Sequence, residues 1–183
     1  MLVDASTGLL GAARQASSPN CDDRPPSCTV DLIIVHGISL PPGEFGGPWI
    51  DALFANTLDP TAHPYFASIA GLHVSAHLLI RRNGELVQYV PFHRRAWHAG
   101  ESVYADRRRC NDFSIGIELE GADHIPYDDR QYPALATSIR ALWEAYPSIH
   151  PDRLAGHADI APGRKTDPGP AFDWQRLRRL LAQ

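Results

Sequence analysis

The stretch Thr29-Val-Asp-Leu-Ile-Ile-Val-His36 constrains the fold more than any other. It is an apolar, mostly β-branched run, and it reads as a central strand buried on both faces. Such a strand needs cover above and below, so the chain must build a sheet with helices packed on it. The run ends in a histidine and a glycine, which places His36 at a strand's C-terminal edge, where sheets often present sites. A histidine satisfied within the core is the plainer reading of the same residue.

The rest of the chain supplies the partners. Pro48 to Leu58 has the spacing of a short helix (Trp49, Leu53, Phe54), with Pro48 suited to its first turn. His73 to Arg81 alternates, with Val74, Ala76, Leu78 and Ile80 on one face and His73, Ser75 and His77 on the other. Asn83-Gly84 then supplies a hairpin turn, and Leu86 to Val90 is the return strand. Phe113 to Glu120 is the cleanest strand: Phe113, Ile115, Ile117 and Leu119 make an apolar face, and Ser114, Gly116, Glu118 and Glu120 the other. That second face reads either as one that opens into a polar cleft or as the wet side of an edge strand. Gln131 to Tyr146 is a strongly amphipathic helix, and Asp173 caps a last helix running to Ala182.

Residues 1–28 hold one short helical possibility, Thr7 to Gln15, and then a polar, proline-bearing segment. They are expected to form an arm packed on a domain spanning 29–183. Residues 59–71 read as a long connection and 101–111 as a polar loop. Both are candidates for a mobile lid, and the sequence does not say whether they close over substrate. The order of elements predicts an α/β fold: a single domain with a mixed central β-sheet flanked by helices.

Composition narrows the function classes. At 183 residues the chain suits one domain with a sizeable core, and 44% hydrophobic residues make disorder the wrong default. A net charge of -4 gives no basic field for nucleic acid or for an anionic membrane, and no apolar run approaches a membrane span. Cys21, Cys28 and Cys110 are few and odd in number, which suggests free thiols. With no basic, apolar leader after Met1, the expected address is the cytoplasm. The expected oligomeric state is a monomer.

The chemistry concentrates near the C-terminus, in Leu154-Ala-Gly-His-Ala-Asp-Ile-Ala-Pro-Gly-Arg-Lys-Thr-Asp-Pro-Gly169. An imidazole (His157), an ammonium (Lys165) and a carboxylate (Asp167) sit in a loop stiffened by Pro162 and Pro168. The loop also reads as a solvated turn with an incidental histidine. Nine histidines in the chain make a metal site worth seeking. His36, His157 and Asp167 together make a normal three-ligand shell for catalytic zinc, with the fourth position left for water. Glu118, on the polar face of its strand, is then the candidate to take that water's proton. Lys165 is the candidate to steady an oxyanion, although a lysine there also suits an ordinary surface salt bridge. Metal, carboxylate base and cation together are machinery for amide hydrolysis.

Five segments resemble the AmpD family of the amidase and peptidoglycan-recognition superfamily. They are Val35–Ile50, Val74–Ile80, Arg95-Ala-Trp-His-Ala-Gly100, Cys110–Gly121 and Gly156–Gly169. The resemblance implies a cytoplasmic N-acetylmuramoyl-L-alanine amidase acting on 1,6-anhydro-muropeptides in peptidoglycan recycling. It implies zinc held by His36, His157 and Asp167, with Glu118 activating the water and Lys165 stabilising the intermediate. Trp97, His98 and Arg109 match positions expected to line the sugar and peptide cleft. This chain departs from the family pattern at Gly37, where many relatives carry Asn, and at His73, where Arg is common. A non-catalytic muropeptide-binding module, a metal peptidase or deacetylase, and a periplasmic amidase are the competing readings.

Overall fold

The computed structural model describes residues 1–183. A six-stranded mixed sheet lies at its centre. Its strands are β1 (Arg14–Gln15), β2 (Leu32–Ile38), β3 (Leu78–Ile80), β4 (Leu86–Gln88), β5 (Ser114–Glu120) and β6 (Leu154–Gly156), in the spatial order β6-β2-β5-β3-β4-β1. The helices are α1 (Trp49–Phe54), α2 (Pro64–Ser68), α3 (Gln131–Ala145), α4 (His157–Ile160) and α5 (Trp174–Leu181). The neighbours β6, β2, β5 and β3 run parallel, β4 returns antiparallel to β3, and β1 lies parallel to β4.

Both faces of β2 are covered, as its unbroken apolar run requires. Ile33 and Val35 join Ile115, Ile117 and Leu119 of β5 against Tyr132, Leu135, Ile139 and Leu142 of α3 and Leu177 of α5. Leu32 and Ile34 face the other way and pack with Phe113, Ala155 and Ile160. Further along that second face, Leu79 and Val87 meet Ile50, Leu53 and Phe54 of α1 and Phe66 of α2. Each such fully buried side chain contributes roughly 1.5–3 kcal/mol relative to exposure. The helix ends match the sequence reading at α5, where the Asp173 carboxylate accepts from the Arg176 N–H at 2.8 Å. No helix is long and apolar enough to cross a membrane.

Four local expectations need correction. Thr7 to Gln15 is not helical: Val3–Asp4 pairs with Leu9–Leu10, and the Asp4 carboxylate accepts from the N–H groups of Ser6 and Thr7, fixing a turn that competes with helix. The stretch 59–71 contains α2, whose first turn is capped by the His63 imidazole accepting from Tyr65 N–H at 3.1 Å. Residues 73–76 have no regular structure and His77 lies at a bend, and β3 itself is buried on both sides rather than alternating. The wet-edge reading of Phe113 to Glu120 also fails, because β5 is paired on both sides and wholly buried.

The N-terminal segment is tied in tightly. β1 adds an edge strand, and Cys21–Asp22 pairs with Arg95–Ala96. The buried Arg24 guanidinium donates to the carbonyls of Phe92, Asn111, Asp112 and Ser114 at 2.9–3.1 Å. Burial lowers its pKa to about 10, still charged at neutral pH.

Candidate active site

Backbone register brings the chemistry together. Glu118 of β5 lies opposite His36 of β2, and Gly156 of β6 lies opposite Val35, so His157 follows one step further at the C-terminal ends of three parallel strands. Because Ile33 and Val35 face α3, His36 points to the opposite face. Asp167 arrives from the loop after α4. That loop is held by the Ala158 N–H donating to the Asp167 carbonyl (2.9 Å) and by the Lys165 N–H donating to the Ala161 carbonyl (3.0 Å). The Tyr127 hydroxyl donates to the Pro168 carbonyl at 2.8 Å, immediately beside Asp167.

Three donor atoms converge. His36 Nδ1 and His157 Nδ1 are 3.0 Å apart, and Asp167 Oδ2 lies 3.3 and 3.1 Å from them. A tetrahedral ion with bonds of about 2.0–2.1 Å keeps its ligand atoms about 3.3–3.4 Å apart, so this triangle fits one with little adjustment. The donor chemistry fits too. Burial drives the His36 pKa down to about 4, which leaves its nitrogen unprotonated and able to ligate at neutral pH. Burial alone would raise Asp167, but hydrogen bonding with His157 and His36 outweighs it and holds the carboxylate far below its ordinary range. The three residues form a group able to hold a metal ion.

Glu118 stands beside this triangle, 9% exposed, and its Oε2 has no hydrogen-bond partner. Burial, with Asp167 close by, pushes its pKa well above the usual carboxylate value, and the Lys165 cation only partly offsets this. The second carboxylate of the strand, Glu120, is committed elsewhere. It accepts from Gly46 N–H at 2.6 Å and from Arg82 N–H at 3.2 Å, and it pairs with Arg81 at 3.3 Å.

The triangle and Glu118 open into a cleft of about 540 Å³. Leu40, Leu53, Phe54, Ile69, Leu72 and Val74 give it an apolar wall, and Asp123, Arg164, Lys165 and Thr166 a polar one. That size and mixture suit a ligand of several groups with a few fixed polar points. Of the residues singled out from sequence, His36, His157, Asp167, Glu118, Lys165 and His98 all line it. Trp97 and Arg109 do not. The Trp97 indole donates to Asp22 at 3.2 Å, and Arg109 is 72% exposed and pairs with Asp112. His98 sits at the back with both ring nitrogens engaged, one with His36 and one with Ser114.

Sequence reasoning did not place Tyr65, Asp123, Arg164 or the apolar wall at the site: Leu53, Phe54 and Val74 read only as faces of a helix and a strand, and the others lie in segments without periodicity. It also missed Tyr127, whose hydroxyl occupies the space a Cβ on Gly37 would need. The glycine at that departure from the family pattern is thus matched to a tyrosine ninety residues away.

These features coincide with known proteins. A model of the N-acetylmuramoyl-L-alanine amidase family matches residues 26–170, and the chain belongs to that family. Within it the likeness is to the AmpD branch. The 1,6-anhydro-N-acetylmuramyl-L-alanine amidase AmpD of Escherichia coli is 64% identical over 176 residues, covering 96% of each chain. The crystal structure of a selenomethionine AmpD derivative superposes with a TM-score of 0.95 at 62% identity, covering 99% of both chains. A more distant solved relative is Escherichia coli AmiD, in complex with the substrate anhydro-N-acetylmuramic acid-L-Ala-D-γ-Glu-L-Lys. It is 28% identical with a TM-score of 0.61, over 86% of this chain and 60% of that one.

Proposed function

We propose that this protein is a zinc-dependent amidase. It hydrolyses the amide between the lactyl group of 1,6-anhydro-N-acetylmuramic acid and L-alanine in muropeptides, and serves cytoplasmic peptidoglycan recycling. The observation that carries the reading is the unpartnered, buried carboxylate oxygen of Glu118 beside three convergent donors whose spacing suits one tetrahedral ion. The high identity to amidases named for this substrate, over nearly the whole chain, supports the choice of bond.

Bound to His36, His157 and Asp167, zinc would supply Lewis acidity, lowering the pKa of a water and polarising the scissile carbonyl. The residues of the chain do the rest. Glu118, whose Oε2 has no partner within the protein, takes the proton of the attacking water. The same carboxyl then gives that proton to the departing alanine nitrogen, so the proton balance closes on one side chain. Lys165, on the polar wall of the cleft, donates to the oxygen that gains charge in the tetrahedral intermediate. The apolar wall offers a surface on which the apolar parts of the substrate can pack.

Mass spectrometry of an anhydro-muropeptide digest, run with zinc-loaded protein and again after chelation, tests this directly. The expected products are free stem peptide and anhydro-N-acetylmuramic acid, lost on chelation and restored by zinc. Substrate that binds but stays intact would replace the enzyme with a muropeptide-binding module.

A further inference from the structure

His36 makes a second contact, on the side of its ring away from the donor triangle. With Nδ1 turned toward His157 and Asp167, its remaining nitrogen, Nε2, faces His98 Nδ1 at 3.0 Å. A histidine that ligates through Nδ1 must carry its proton on Nε2. His98 Nδ1 must therefore accept, which places the His98 proton on its own Nε2. That nitrogen faces Ser114 Oγ at 3.3 Å, and the Ser114 hydroxyl in turn donates to the Cys110 carbonyl at 2.6 Å. Each group has only one role left open, so the direction of the whole chain is fixed.

We infer that His98 is a positioning residue. Through the relay His36–His98–Ser114–Cys110 it holds His36 in the single tautomer and ring orientation that lets Nδ1 ligate the metal. The inference rests on the zinc reading above and goes beyond it to a residue outside the three donors, at the back of the cleft.

Three further observations support it. Both His98 ring nitrogens are engaged within the protein, leaving none for a substrate hydrogen bond. The ring is buried flat on the backbone of β5, where a Cβ on Gly116 would stand 2.5 Å from its Cγ and Nδ1. Gly116 is thus the one residue of β5 that must lack a side chain for the relay to form. The segment carrying His98 also serves the other imidazole, because the Ala99 carbonyl lies 3.3 Å from His157 Nε2. Asn111 fixes that segment by accepting from the N–H groups of both His98 and Ala99, at 3.1 and 2.7 Å.

The test compares wild type, His98→Leu, His98→Asn and Ser114→Ala. Zinc affinity is read by chelator competition, the His36 and His98 tautomers by 15N NMR of the zinc-loaded protein, and kcat and KM on anhydro-muropeptide at saturating zinc. His98→Leu is expected to weaken zinc binding by roughly 10–100-fold while KM stays near the wild-type value. His98→Asn, which keeps an oxygen acceptor where Nδ1 stood, is expected to recover most of the affinity. Ser114→Ala is expected to weaken zinc in the same direction by less. In wild type the proton is expected on Nε2 of both His36 and His98. Unchanged zinc affinity with a raised KM would make His98 a substrate contact and overturn the relay, as would a proton on His98 Nδ1. If His98→Leu does not fold, the other two variants and the wild-type tautomers decide the matter. A wild type that takes up no zinc would overturn the metal reading and the relay with it, whereas normal uptake indifferent to all three variants would overturn the relay alone.

Discussion

Glu118→Gln separates stability from catalysis at one atom pair. In the metal-free protein the Glu118 carboxyl is buried, one oxygen lacks a partner, and its pKa is raised well above 4.5, first by burial and then by Asp167. A raised folded-state pKa means the native state binds the extra proton. Its contribution is therefore complete below about pH 4.5 and is lost as pH rises through the folded-state value. Over that window wild type loses about 1.4 kcal/mol per pH unit from this group, and glutamine, which does not titrate, loses none. Every other titrating group is common to both chains, so the difference between them isolates Glu118. Urea unfolding in the presence of chelator, from pH 5 to pH 8, should show Glu118→Gln gaining on wild type as pH rises. The gap is expected to widen steadily over that range, by at most about 1.4 kcal/mol for each pH unit. The same variant should still take up zinc, while kcat falls by roughly 10²–10⁴-fold, the usual worth of a positioned base. A stability difference that is flat with pH would refute the argument that burial and Asp167 raise the Glu118 pKa. Turnover within tenfold of wild type would remove it from the mechanism.

Other perturbations follow from the same geometry. His36 has its pKa depressed to about 4 from 6.5, so its contribution is present above pH 6.5 and is lost as pH falls toward 4. The loss is about 3 kcal/mol from that residue alone. Unfolding of metal-free Glu118→Gln at pH 7 and pH 4.5 would show this loss together with those of His77 and His98, which burial shifts in the same direction, and equal stability at the two would contradict it. Tyr127→Phe removes the hydroxyl donated to the Pro168 carbonyl; it should cost about 1 kcal/mol and weaken zinc binding, since Asp167 lies next to the released carbonyl. Calorimetry and chelator competition check both, and unchanged zinc affinity would show that the loop holds Asp167 without the tyrosine. Lys165→Met should lower kcat by roughly 10²–10³-fold with little change in KM. Steady-state kinetics at saturating zinc read the split, and a raised KM with kcat intact would make Lys165 a binding residue.

The parts of the fold that could be read from sequence are those in which burial imposes a pattern. β2 and β5 carry seven residues each, and α3 and α5 fill helical spacing with Tyr132, Leu135, Ile139, Leu142 and Leu177. The failures are where pairing with distant residues decides conformation. Thr7 to Gln15 offers a short helical possibility, yet the Leu10 N–H within it is taken by the Gln88 side chain at 2.7 Å. β3 reads from sequence as starting at His73 and alternating, and it differs for a related reason: Leu78, Leu79 and Ile80 serve two cores at once, so alternation, which assumes one wet face, does not describe them. Arg24, the buried cation that ties the N-terminal segment to four carbonyls, sits among prolines and aspartates that read locally as a loop.

For the site, sequence supplied the chemical types but not their meeting. His36 and His157 are 121 positions apart, and no local spacing makes them neighbours. What does so is sheet register. A slip of one residue between β2 and β5 would turn Glu118 toward α3 and leave His36 without it. The apolar residues that fix that register, Ile33 and Val35 on one strand and Ile115, Ile117 and Leu119 on the other, therefore set the active-site geometry as firmly as the polar groups do. Gly116 extends the argument, because its missing side chain lets His98 lie on the strand and reach His36. Alternation marks Gly116 as belonging to the polar face with Glu118, but only the packed ring explains why a glycine is needed there. The outer support of the site is written into positions that look, residue by residue, like ordinary strand.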